Sequence, residues 1–557
     1  MSTRIVLLWL APWPAALALA CAPAAVPPAA APAPGAPAAP AAPAVGQPQY
    51  GGTFYLAQEE GPQTLDPQFT TGGGAVNALM RGIYEGLLEY RQADPFEEYR
   101  DYEPAPYLAE RWQQPDPVTY VLSLRKGVKW HDGVEFTADD VVFTYERLRD
   151  PQNKFPERSR LAGVKTIEAT DRYTVRITRE SPSPEFLGIL ADNPRLALIA
   201  KHVGEQGGDY KTRAIGTGPF KVAEFDNKKG AVLAKHDAYW QEGRPYLNRF
   251  QLFFGLDKSG VAAALVAEKN DHYSFADKRQ FEAIYATKKD LQYRKFVAEY
   301  NYGLRFNITR PPLDDVRVRR AVHLGIDRRA LLETLTFGEG GYDQPGACAI
   351  CPGRIDEKEL LTLPGWRSPK EQDLADAKRL LAEAGLPNGF KTSALGYRTN
   401  SSHPQIIEAV SGQLRVVGID LVPDLPDAAT ARKKYTEFDY DMSPVAGGVR
   451  PRPDADLFVL WYSKGSQNPG VKDPELDSLI ERQSRELDVA ARNKLLEQIN
   501  RLLLDKMYIA PSVGGGYFMV WQPFVKNLYL GYSGQAWLRK PADVWIDQAR
   551  MPADRPK

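Results

Sequence analysis

A multidomain α/β protein is predicted by three observations. The chain has 557 residues, more than one simple core serves, so two to four domains are expected. Segments with a two-residue apolar period alternate with segments of helical period through the first half. Helix signals then become stronger and better punctuated in the second half.

The chain opens MSTRIVLLWLAPWPAALALA and then reaches Cys21. One positive charge at Arg4, an apolar centre and small residues before the cysteine mark residues 1–20 as a secretion signal. A permanent span needs about 20 uninterrupted apolar residues, and Pro12 and Pro14 break this run, so cleavage is expected. Ala18-Leu19-Ala20-Cys21 resembles the lipobox of bacterial lipoproteins, although Ala18 stands where leucine is usual. Lipidation of Cys21 is the expectation, and an ordinary signal peptide is the alternative. Residues 22–49 are almost wholly alanine and proline, with no charge between Arg4 and Glu59. Such a segment forms no core and favours extended polyproline II, reaching roughly 90 Å at about 3.1 Å per residue. Residues 21–49 therefore read as a tether, and the working body begins near Tyr50.

In TYVLSLR, residues 119–125, Tyr120, Leu122 and Leu124 alternate with Thr119, Val121 and Ser123, the period of a half-buried strand. After the turn Trp130-His131-Asp132-Gly133, Thr137 and Asp140 form a capping box for a helix carrying Val141, Val142, Tyr145 and Leu148. YTVRIT, residues 173–178, is a second strand. Ser368-Pro369-Lys370-Glu371 reads as another capping box, with Leu374, Ala377, Leu380, Leu381 and Ala384 on one face and Gly385 closing the helix. From Asp488 to Met507, the residues Val489, Leu495, Leu496, Ile499, Leu502 and Leu503 mark an amphipathic helix expected to pack on a sheet.

Charge excludes some functions. Seventy Lys and Arg balance 70 Asp and Glu, so no net field favours nucleic acid or an acidic membrane. None of the six histidines lies within four residues of another. No H-E-x-x-H, G-x-S-x-G or phosphate-loop pattern occurs, and no cofactor is implied. Asp314-Asp315 and Asp139-Asp140 sit where helix caps are expected. Cys348 and Cys351 form C-x-x-C between proline and glycine; an exported chain favours a disulfide that staples the loop, and no second ligand pair supports zinc.

Six segments in order carry a family resemblance. They include TLDPQFTTGGGAVNALMRGIYEGLLEY (64–90), the run from PYLAERW to ERLRDP (106–151), IGTGPFKVAEF (215–225) and AKHDAYWQEGRPYLNRF (234–250). RFNITRPPLDDVRVRRAVHLGIDRRALLETLTFGEG (305–340) and DAKRLLAEAGLPNGF (376–390) follow. Together they resemble the extracytoplasmic solute-binding proteins of ABC importers, in the family of dipeptide, oligopeptide and nickel binders. The resemblance implies an α/β, two-lobe periplasmic-binding-protein-like fold with a hinge and an additional inserted domain. Residues 50–90, 215–300 and 515–557 would form lobe I, 91–214 the inserted domain and 301–514 lobe II. It also implies capture without covalent chemistry. The partners would be a peptide or similar-sized organic solute and the permease, with the protein a monomer outside the cell membrane. Sensing or chaperoning on the same fold is the alternative, and a lipid-tethered hydrolase a third reading.

The resemblance points to three ligand-binding segments. They are Thr70, Thr71 and Gly72; Tyr397 and Arg398; and Gly447 with Arg450, Arg452 and Asp454 in GGVRPRPDAD. Each has a plain surface turn as its competing reading. In peptide binders the third segment carries a tryptophan, and an aspartate that receives the peptide's amino group. Here Arg450 stands where that aspartate belongs, and Val445 to Gly448 where the tryptophan belongs. A guanidinium repels an ammonium, so the expected cargo is anionic or oxygen-rich, with Asp454 or Asp456 orienting one arginine.

Overall fold

The computed structural model describes residues 46–70, 74–91, 103–192, 194–275, 278–345, 352–397, 402–448, 453–529 and 538–555. Alternation in TYVLSL becomes the strand Thr119–Leu124, with Tyr120, Leu122 and Leu124 buried. It joins an antiparallel sheet in the order Ala109–Asp116, Thr119–Leu124, Thr174–Arg179, Val164–Asp171. The helix Ala138–Arg149 packs against this sheet. The expected capping box opens it, Asp140 Oδ2 accepting from Thr137 N at 2.9 Å.

A second sheet has the order Thr53–Ala57, Arg249–Phe253, Gly230–Lys235, Phe220–Asp226, its first pair parallel and the others antiparallel. Phe54, Phe250, Trp130, Tyr145 and Phe186 belong to one hydrophobic cluster, so the two sheets share a core. Within this lobe Glu85 is fully buried among donors. Thr217 Oγ1 donates to it at 2.8 Å, Tyr239 Oη at 2.7 Å and Trp240 Nε1 at 2.9 Å. Burial pushes its carboxyl up to about 7, with these hydrogen bonds pulling the other way.

The other lobe is built on a seven-stranded sheet. Its main order is His272–Phe275, Ile509–Trp521, Gln292–Phe306, Met442–Gly448, Phe390–Leu395, Ile419–Asp424, and Gly340–Tyr342 pairs beside Ile509–Trp521. The two long antiparallel strands Gln292–Phe306 and Ile509–Trp521 belong to both lobes. At one end they meet His272–Phe275, and at the other Met442–Gly448. Their register breaks between Val297 and Asn301, opposite Gly516 and Gly514. The expected lobe limits at 300/301 and 514/515 thus fall inside continuous strands.

Two helix expectations change. The second capping box does not form: the helix is Glu371–Glu383, with Lys370 at the N-cap and no side-chain cap. Lys370 Nζ and Arg367 Nε instead converge on buried Asp373, both at 2.6 Å, and Gly365 N donates to it at 3.0 Å. These three donors to Asp373, rather than Ser368, tie down the helix start. In Val489–Lys506, Leu495, Leu496, Ile499 and Leu503 are buried as expected, in a cluster with Ile509 of the large sheet and also with Leu476, Leu479 and Ile480 of the helix Pro474–Gln483. Val489 is 73% exposed because it opens the helix beyond the reach of that neighbour.

Candidate functional site

The first predicted segment is held by its own turn. After Thr53–Ala57 the chain reaches Asp66, whose Oδ2 pairs with Arg147 Nη2 at 2.6 Å on the helix Ala138–Arg149. Gln68 Nε2 donates to Thr144 O of that helix at 2.8 Å. Thr70 Oγ1 donates to Asp66 O at 2.8 Å, so its proton is used locally and only its lone pairs remain for a ligand. The turn that delivers Thr70 thus consumes its donor.

Parallel pairing brings the other two segments to one edge. Phe390–Leu395 runs parallel to Met442–Gly448, bridging at Ala394 and Met442. Tyr397 follows the first strand and Gly447 lies at the end of the second. Both therefore leave by the carboxyl ends of parallel strands, where open α/β sheets place ligands. Tyr397 N donates to His403 Nδ1 at 3.2 Å, and the two rings meet edge-on at 4.5 Å. Burial lowers the His403 imidazole to about 4, which keeps Nδ1 an acceptor at neutral pH.

Gly447 and Gly448 pair with Asn301 and Tyr300 on the strand shared by both lobes. Asp454 reaches the other lobe: its N donates to Glu185 Oε1 at 3.2 Å. Asp454 Oδ1 accepts from Gln483 Nε2 at 2.6 Å and from Arg492 Nη2 at 3.3 Å. Arg492 Nη2 also donates to Glu185 Oε1 at 2.5 Å. Glu185 is 6% exposed and immediately precedes the helix Phe186–Leu190. Burial pushes the Asp454 carboxyl up, while Arg492, Gln483 and Arg179 pull it down.

Asp454 or Asp456 was expected to orient one guanidinium among Arg398, Arg450 and Arg452; the Asp454 Oδ1 accepts from Gln483 and Arg492. Sequence reasoning missed Glu185, Gln483 and Arg492. Glu185 and Arg492 are 307 positions apart, and no local pattern marks either of them. Thr71, Gly72, Arg398, Arg450, Arg452, Cys21, Cys348 and Cys351 lie outside the described residues. Among the described residues no group of three His, Cys, Asp or Glu is placed to hold a metal, and no helix is long and apolar enough to cross a membrane.

Comparison with known proteins follows this geometry. The family model of bacterial extracellular solute-binding proteins, family 5 middle region, matches residues 103–469. A glutathione-binding protein of Salmonella paratyphi A is 28% identical over 358 residues, 64% of this chain and 66% of that protein's length. Heme-binding protein A of Haemophilus influenzae is 26% identical over 506 residues, covering 83% of this chain and 87% of its own. The crystal structure of an ABC transporter substrate-binding protein, CtaP of Listeria monocytogenes, superposes with a TM-score of 0.77 at 20% identity. It covers 90% of this chain and 100% of that one. With two lobes joined by shared strands and a family model spanning most of both, the chain belongs to the family 5 bacterial extracellular solute-binding proteins.

Proposed function

We propose that the protein is the capture component of an ABC importer, closing two lobes over an acidic peptide or a similar-sized anionic organic solute and delivering it to the permease. The observation that supports this reading is that Gly447 lies beside the crossing strands and Asp454 against the opposite lobe, and these two residues bracket Arg450 and Arg452 in the sequence. Arginine matches a carboxylate with two parallel donors. Relatives named for glutathione and heme support an acid-bearing cargo, since both molecules carry two carboxylates. Thr70, Thr71, Gly72, Tyr397 and Arg398 would line the remaining walls. The hinge would lie at the register break opposite Gly514–Gly516, on the two strands that both lobes share and beside the paired Gly340 and Gly341. Binding, rather than catalysis, is the proposed activity.

The rest of the reading concerns location. Lipidation at Cys21 and the tether 21–49 would hold a monomeric body at the outer face of the cell membrane or in the periplasm, and Cys348 with Cys351 would close a small disulfide loop. Native mass spectrometry of protein purified gently from its host should reveal a co-purified acid. Titration calorimetry should then show glutathione binding at least tenfold tighter than Ala-Ala-Ala, with Arg450→Asp reversing that order. Tight Ala-Ala-Ala binding by the unaltered protein would remove the charge argument.

A further inference from the structure

We infer that Arg492 is a positioning residue: by joining Asp454 to Glu185 it clasps the short helix Pro453–Asp456 to the opposite lobe, so the inserted sheet, not only the ligand, holds this helix in place. The groups come from two lobes. Glu185 precedes the helix Phe186–Leu190 beside the sheet of Thr174–Arg179, whereas Asp454, Gln483 and Arg492 belong to the helices Pro453–Asp456, Pro474–Gln483 and Val489–Lys506. One guanidinium nitrogen donates to carboxylates of both lobes, at 2.5 Å to Glu185 and 3.3 Å to Asp454. Gln483, fully buried, orders the cluster from behind: its Nε2 donates to Asp454 at 2.6 Å and its Oε1 accepts from Arg492 Nε at 3.2 Å.

Each side brings one acid and one arginine, and when the lobes meet each arginine also faces the acid of the other side. Arg179 of the inserted sheet stacks on the Phe186 ring at 4.7 Å and pulls down the Asp454 carboxyl. Two acids and two arginines thus face one another across the interface. Separating the lobes leaves Glu185 without Arg492 and Asp454 without Arg179, and each group must then be rehydrated. The Asp454 amide also loses its acceptor. Closure and the position of the helix Pro453–Asp456 are therefore one event. This inference rests on the two-lobe capture reading above, but it is read without any solute and so stands or falls apart from the choice of cargo.

The test is hydrogen exchange on the dialysed, ligand-free full chain. Arg492→Gln should raise exchange at least tenfold both at 454–461 and, across the interface, at 186–190. Glu185→Gln should do the same from the other side and serves if Arg492→Gln does not fold. The double variant should add less than twofold to either single one, and Arg492→Lys, which keeps the charge, should hold 186–190 within threefold of the unaltered protein. Unchanged exchange at 186–190 in Arg492→Gln, or at 454–461 in Glu185→Gln, would reduce the cluster to local packing and overturn the inference, as would strictly additive effects in the double variant.

Discussion

Beside the crossing strands, Glu339 is flanked by Lys278 at 3.3 Å and by Lys295; on the far side, Arg492 joins Asp454 to Glu185. The first cluster is partly exposed, Lys295 at 42% and Lys278 at 33%, and Lys295 sits on a strand that belongs to both lobes. Its partners lie beside the strands that both lobes share, where a rotation of one lobe displaces them least. The second has side chains at 12% and 5% exposure for Arg492 and Glu185, and it is held by no shared strand. Equal charge chemistry thus has unequal consequence. An exposed pair near a pivot contributes about 0–1 kcal/mol, whereas opening a buried one leaves charges that must be rehydrated.

The comparison can be broken at the pivot first. Gly340 lies opposite Gly515, and a Cβ there would sit 2.0 Å from Gly514 O. Gly340→Ala should cost about 3 kcal/mol through forced overpacking against backbone, seen as a lowered midpoint in urea unfolding with increased exchange around 509–521. Glu85, in neither cluster, supplies a control of similar size. Burial raises its carboxyl from the usual 4.5 to about 7, so the folded chain holds that proton more tightly than the unfolded chain. Its contribution is full below about pH 4.5 and is lost as pH rises through 7, a difference on the order of 3 kcal/mol. Glu85→Gln should flatten that slope in urea titrations at pH 5 and pH 8.

Smaller changes sharpen the contrast. Asp454→Asn keeps an acceptor for Gln483 but removes the charge facing Arg492 and Arg179, and should weaken closure by about 1–2 kcal/mol. Small-angle scattering of the ligand-free protein would record it as a larger radius of gyration. Glu339→Gln should move the same measurement by less than about 0.5 kcal/mol. An effect of Glu339→Gln as large as that of Asp454→Asn would erase the distinction between the two sides.

Local elements were legible where one short-range rule decided them. The Thr119–Leu124 strand, the Thr137–Asp140 capping box and the helix over Val489–Lys506 follow from apolar period and a single polar contact. The box expected at Ser368 failed because three donors from 365–370 gather on Asp373. Val489 shows the same limit, since helical spacing says which residues share a face but not where the neighbouring helix ends.

By itself the sequence determined, through its family resemblance, a family 5 two-lobe chain, together with a few of its strands and helices and the unusual arginines of GGVRPRPDAD, because motifs and side-chain types are local properties. Only the tertiary structure decided that Asp454 serves Arg492 and Glu185, that the Thr70 hydroxyl is already used and that two long strands carry both lobes. Those facts depend on groups hundreds of positions apart meeting in a buried interface, and no periodicity along a chain encodes which carboxylate a distant guanidinium will find.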